Sequence, residues 1–151
     1  MSRRIIGVIG GGTCSPEMAQ IAEEVGERIA EKGAILICGG LFGVMEAACR
    51  GAKSKGGTTI GILPGRDKSE ANSFVDIPIV TGMGEARNII IVRSAAAVIA
   101  IGGEHGTLSE IAFCLKFKVP LVGIKTWDFD PAIVHVDTPG EAVDKAFEMI
   151  E

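Results

Sequence analysis

The chain has 151 residues, a length served by one hydrophobic core, since cores divide into separate domains only beyond ~250 residues. Hydrophobic residues make up 47% and charged residues 23%, the balance of a folded globular domain, which excludes intrinsic disorder. Fifteen Lys and Arg face 19 Asp and Glu for a net charge of −4, so no positive field exists to hold a nucleic-acid backbone.

Short apolar runs alternate with segments of helical period, the pattern of a parallel sheet wrapped by helices. Residues 5–9 (IIGVI) read as a first buried strand. The turn at Gly10, Gly11, Gly12 and Thr13 leads to Ser15 as helix N-cap, Pro16 at the first helical position and Glu17 at the positive end of the dipole. Met18, Ile21, Ala22, Val25 and Ile29 then recur at helical spacing until Gly33. Residues 34–38 form a second strand, and Gly39, Gly40 and Gly43 lead into a helix over 44–55. Its small Ala47, Ala48, Gly51 and Ala52 permit close approach to the sheet or to another backbone. A third strand covers 58–63, a loop 66–73 and a short fourth strand 77–80. A helix over 85–95, a strand over 97–101, a helix over 107–117 and a strand over 120–124 follow. The tail adds an edge strand near Val134, His135 and Val136 and a closing helix over 139–150. The expected product is a single-domain, doubly wound Rossmann-like α/β fold over residues 1–151, with helices on both faces of the sheet. Its strands would all end on one rim, where ligands of such folds bind.

Three loops on that rim are rich in glycine. Each exposes backbone N–H groups beside the positive end of a helix, which suits phosphate or another anion. Tight turns alone also require glycine, so one loop by itself decides nothing. The first loop is not the GxGxxG dinucleotide fingerprint, because the second strand ends in Cys38 and Gly39 rather than an acid. Arg87 places a cation in the first turn of its helix, against the dipole, and calls for compensation by a bound anion or by Glu85. For Glu110 two readings stand side by side. Thr107 and Glu110 match the TxxE capping box, which the local sequence favours. The other reading is a carboxylate at the ligand rim, binding a ribose hydroxyl or acting in acid–base chemistry.

No stretch reaches the ~18 uninterrupted apolar residues of a membrane span. The start of the chain lacks the long apolar segment of an export signal, so a cytoplasmic location is expected. Cys14, Cys38, Cys49 and Cys114 have no CxxC spacing and read mainly as buried thiols rather than disulfides or metal ligands. No metal-ligand cluster and no GxSxG nucleophile motif is present.

Residues 38–47 (CGGLFGVMEA), 56–65 (GGTTIGILPG), Ala86-Arg87-Asn88 and 102–110 (GGEHGTLSE) together resemble the molybdenum-cofactor carrier protein family. That family lies within the wider Lonely Guy, or lysine decarboxylase-like (SLOG), Rossmann superfamily, which includes cytokinin-activating phosphoribohydrolases. In the hydrolase branch the third loop reads PGGxGTxxE. Its glycines and Thr hold a nucleotide 5′-phosphate, and its Glu and an upstream Arg act at the N-glycosidic bond. The resemblance thus implies catalytic roles for Arg87 and Glu110 if the chain is a hydrolase. It implies ligand binding by Gly11, Gly12, Thr13 and Ser15, by Gly39, Gly40 and Gly43, by Arg87 and Asn88, and by Gly102, Gly103, Gly106, Thr107 and Glu110. Three positions depart from the hydrolase pattern: Gly102 stands for its Pro, Glu104 for its second Gly, and Asn88 for its Lys. The Arg-Asn pair and the second loop place the chain nearer the carrier branch. The expected ligand is a phosphorylated small molecule, a molybdopterin-type cofactor or a purine mononucleotide. The alternative is a nucleoside 5′-monophosphate phosphoribohydrolase. The apolar run Ile89, Ile90, Ile91 and Val92 further suggests a homo-oligomer, a dimer or tetramer, and no partnership with nucleic acid or membrane is expected.

Overall fold

The computed structural model describes residues 3–151; Met1 and Ser2, part of the cationic start, lie outside the described residues. Seven strands form one parallel sheet: β1 (Ile5–Gly10), β2 (Ile35–Cys38), β3 (Thr58–Leu63), β4 (Ile77–Val80), β5 (Ala97–Ile101), β6 (Leu121–Ile124) and β7 (Ile133–His135). Their order across the sheet is β4-β3-β2-β1-β5-β6-β7. The chain therefore winds outward from β1 in one direction, then returns to the other side of β1 at β5, and the loops after β1 and β5 diverge over a crevice. Register follows the apolar runs, with Ile6 against Leu36 on one side and against Ala97 on the other.

Two apolar layers enclose the sheet. On one face α1 (Pro16–Glu31), α2 (Val44–Ser54) and α5 (Pro139–Ile150) bury Ala22, Val25, Ile29, Ala48 and Val143. On the other, α3 (Asn88–Ser94) and α4 (His105–Phe117) bury Ile91, Val92, Ile111 and Cys114. The central β5 is consequently buried along its whole length, which accounts for its uniformly apolar sequence. The small residues of α2 serve contact with α1: a Cβ at Gly51 would lie 1.9 Å from the Glu23 carbonyl oxygen.

Two expected boundaries move, and both moves bear on the rim. The segment expected as one helix over 85–95 divides into a 3-10 turn, Gly84–Arg87, and α3. Helix α4 begins at His105 rather than Thr107, because Glu104 takes the N-cap position and its carbonyl accepts the N–H of Leu108. Thr107 therefore sits inside the first turn, and the capping-box reading of Glu110 is overturned. The Ile89–Val92 run is largely absorbed within the chain: Ile91 and Val92 are buried, and Ile90 packs on the core beneath α3 and α4. The exposed large apolar side chains are instead Phe42, Ile77, Ile79, Val80, Met83 and Phe129.

Candidate functional site

A cavity of about 340 Å³ opens at the carboxyl rim between the loop after β1 and the start of α4. Gly10, Gly11, Gly12 and Thr13 form one wall; Glu104, His105, Gly106, Thr107 and Glu110 form another. Arg87, Asn88 and Glu85 enter from the turn before α3, and Leu41 and Met45 from the second loop and α2. A second cleft of about 200 Å³ adjoins it, sharing Gly11, Thr13 and Glu104 and adding Cys14, Met18, Val44, Ile101, Gly102 and Gly103.

Residues expected at the site are thus divided. Gly11, Gly12, Thr13, Arg87, Asn88, Gly106, Thr107 and Glu110 line the larger cavity, while Gly102 and Gly103 line the smaller. Ser15 and the glycines of the second loop line neither. Ser15 accepts a hydrogen bond from the N–H of Met18 at 3.2 Å and so caps α1. Gly40 packs on Gly61 and Leu63, and Gly43 packs on Gly11 and Gly12. Gly39 makes room for Arg87: a Cβ there would lie 2.7 Å from a terminal guanidinium nitrogen. Leu41 and Met45 give the cavity an apolar flank that the sequence reading did not include. Their spacing of four carried a trace of it, as two apolar positions at the entry to a helix.

Arg87 is the pivot of the polar part. It comes from beyond β4, at the edge of the sheet, yet its side chain reaches back over the ends of β3 and β2. Its Nε donates to the carbonyl of Ile62 at 2.8 Å, and one terminal nitrogen donates to the carbonyl of Gly39 at 3.4 Å. The other terminal nitrogen donates to Oδ1 of Asn88 and lies 3.7 Å from Glu85 Oε2. Asn88 continues the chain, its amide donating to Ser109 Oγ at 3.0 Å, and Ser109 donates to the Gly106 carbonyl at 2.6 Å. The guanidinium and the first turn of α4 are therefore held together by consecutive hydrogen bonds. The compensation Arg87 was expected to need is supplied largely within the protein, by carbonyls and by Glu85.

The start of α4 is different. No side chain caps it, and no acid lies within its first turn. Its first N–H groups, beginning at His105, form the positive end of a 13-residue helix that opens on the cavity; Glu104 holds the N-cap position there, and a Cβ at Gly106 would lie 3.7 Å from Glu85 Oε2. Below them Glu110 is buried, with 7% exposure, and has no hydrogen-bond or ion-pair partner among the described residues. Burial pushes its carboxyl up to about 8; the Arg87 charge pulls it down by less than burial raises it, and Cys38 and Glu85 add to the rise. Such a carboxyl is mainly protonated at neutral pH and can donate a proton or a hydrogen bond. Cys38, Cys49 and Cys114 are buried thiols as expected, and Cys14 is exposed. Among the described residues no helix is long and apolar enough to cross a membrane.

Comparison with known proteins places this arrangement in context. The SLOG cluster4 family model matches residues 3–148. An uncharacterized protein of Archaeoglobus fulgidus is 52% identical over 142 residues, 91% of each chain. The molybdenum cofactor binding protein of Rippkaea orientalis superposes with a TM-score of 0.95 at 37% identity, covering 100% of this chain and 99% of that one. The molybdenum cofactor carrier protein of Chlamydomonas reinhardtii gives a TM-score of 0.88 at 36% identity, with 99% of both chains covered. Cytokinin riboside 5′-monophosphate phosphoribohydrolase of Mycobacterium tuberculosis is 36% identical over 99 residues, 63% of this chain, and the match spans about half of that enzyme (52%).

Proposed function

This chain belongs to the SLOG cluster4 family, and from that premise we propose that it binds a phosphorylated small molecule, a molybdenum cofactor or a nucleotide-like relative, in the larger rim cavity. The observation that carries this reading is the uncapped start of α4 opening on that cavity. Free N–H groups at a helix start suit an anion, because several donors and the dipole act together. The ligand's phosphate would lie on the first turn of α4, beside Gly106 and Thr107. Its ring system would extend between the Gly10–Thr13 wall and the apolar Leu41 and Met45, over Glu110. A volume near 340 Å³ is within the ~300–1,000 Å³ range of small-molecule sites. Gly102 and Gly103, with the smaller cleft, would take any part of the ligand that extends past Glu104.

Arg87 orients rather than clamps in this reading. Three of its five N–H donors are engaged by Ile62, Gly39 and Asn88, so it fixes the floor of the cavity and contributes positive charge at short range. The test is thermal denaturation with and without ligand: a molybdopterin preparation, GMP or AMP at a hundred times its Kd stabilises the fold by ~2.7 kcal/mol. An unchanged Tm with all three overturns the reading.

A second reading, nucleoside 5′-monophosphate phosphoribohydrolase, is favoured by one observation, the buried Glu110, its carboxyl pushed up by burial, facing the same cavity as Arg87. Glu110 would protonate the departing base as its bond to ribose C1′ breaks, and the water that adds at C1′ would return a proton to the Glu110 carboxylate. Free adenine released from AMP, and its loss in both Arg87→Ala and Glu110→Gln, is the expected result for that activity; absence of adenine removes it. For assembly, the exposed Ile77, Ile79, Val80 and Met83 support a homo-oligomer through the β4 edge, checked by light scattering at micromolar concentration.

A further inference from the structure

The cavity floor carries a second kind of information. Glu110 lies one helical turn beyond Thr107 on the same face of α4, and both line the cavity on which that first turn opens. It is more than nine-tenths buried and without a partner among the described residues. The cation nearest in charge, Arg87, is turned onto Ile62, Gly39 and Asn88 and makes no ion pair with it. We propose that Glu110 selects the bound molecule as a neutral carboxylic acid, pairing its O–H and C=O with a ligand edge that carries an acceptor beside a donor. The lactam edge shared by pterins and guanine and the aminopyrimidine edge of adenine both have that pattern.

The chemistry follows from what each protonation state offers. A carboxylate has acceptors only and would repel a ring edge holding an acceptor, whereas the neutral acid has one donor and one acceptor side by side. The neutral form also avoids leaving a charge buried and unpaired. The groups that face it keep the same balance: Cys38 from β2 and Glu85 from the turn before α3 oppose its ionisation, Arg87 from that turn favours it, and on its own helix Cys114 is a buried thiol pushed up to about 12. No bond to the ligand is made or broken, and the proton remains on Glu110.

This inference rests on the anion reading of α4, and the test separates the two. Infrared difference spectra of the ligand-free protein at pH 7, wild type minus Glu110→Gln, are expected to contain the carbonyl stretch of a protonated carboxylic acid; its absence overturns the inference. Calorimetric titration with GMP, AMP and ribose 5-phosphate then compares a phosphate with and without the ring edge. In wild type GMP and AMP bind more tightly than ribose 5-phosphate. Glu110→Gln, which keeps one donor and one acceptor, preserves that preference, whereas Glu110→Ala and the space-filling Glu110→Leu lose it by roughly tenfold or more. Above about pH 8 the wild-type preference falls relative to Glu110→Gln. If Gln loses the preference as fully as Ala and Leu, a carboxylate is at work and the inference fails while the anion site stands. If ribose 5-phosphate binds as tightly as the nucleotides, the anion reading again stands alone. If none of the three binds, both fall.

Discussion

Helices α1 and α4 both begin beside β1 and β5, at the crevice where the winding of the sheet reverses, and they begin in opposite ways. At α1 the protein completes the start itself: Ser15 caps it, Pro16 removes a donor that would lack a partner, and Glu17 meets the dipole while pairing with Lys125. At α4 the N-cap is Glu104, whose side chain makes no capping hydrogen bond, the first turn holds neither Pro nor acid, and the buried Glu110 lies beneath. The capped start is a structural element. The open one has N–H groups without a capping side chain, and in the proposed function these are what the ligand's anion meets.

The largest way to sharpen this contrast is Glu110→Gln. The folded protein holds the Glu110 proton up to about 8, against an ordinary value of 4.5, so the unfolded chain releases it first. The contribution of this group to stability is therefore fullest below about pH 4.5 and declines toward pH 8, at up to ~1.4 kcal/mol per pH unit. Glu110→Gln removes that decline, and urea unfolding at a series of pH values gives a variant increasingly more stable than wild type as pH rises. Next in size, Arg87→Met leaves the carbonyls of Ile62 and Gly39 without their donors and lowers stability by roughly 2–3 kcal/mol. The same substitution at the exposed Arg93 changes the urea midpoint far less. His105→Asp places an acid within the first turn of α4. It raises stability by ~0.3–1 kcal/mol and weakens phosphate-ligand binding several-fold, so stability and affinity move in opposite directions. At the closed start, Ser15→Ala costs ~1 kcal/mol in thermal unfolding and leaves ligand affinity unchanged. A parallel loss of affinity in Ser15→Ala would break the contrast, because it would make α1 part of the binding surface.

Much of this contrast was legible along the chain. The start of α1 announces itself through Ser15, Pro16 and Glu17, all local signals, and the structure places its cap where those residues require it. The start of α4 misled, because Thr107 and Glu110 have the spacing of a capping box while the backbone at Glu104 begins the helix two residues sooner. A cap is chosen by backbone direction as the loop leaves β5, and a spacing of three does not encode that direction. Arg87 was similarly visible as a cation in an awkward place, but its acceptors come from β3 and from the loop after β2, 25 and 48 residues away.

The sequence by itself determined the alternation of strands and helices, the parallel sheet and the gathering of glycine loops on one rim. Periodicity, turn residues and the handedness of each crossover act over short stretches of chain and need no distant partner. Tertiary structure alone decided that Arg87 turns inward onto backbone carbonyls, that Leu41 and Met45 flank the cavity, and that burial pushes the Glu110 carboxyl up. Those outcomes depend on which groups from remote strands crowd a single side chain, and the free energy of a buried charge is fixed by that company rather than by its neighbours in sequence.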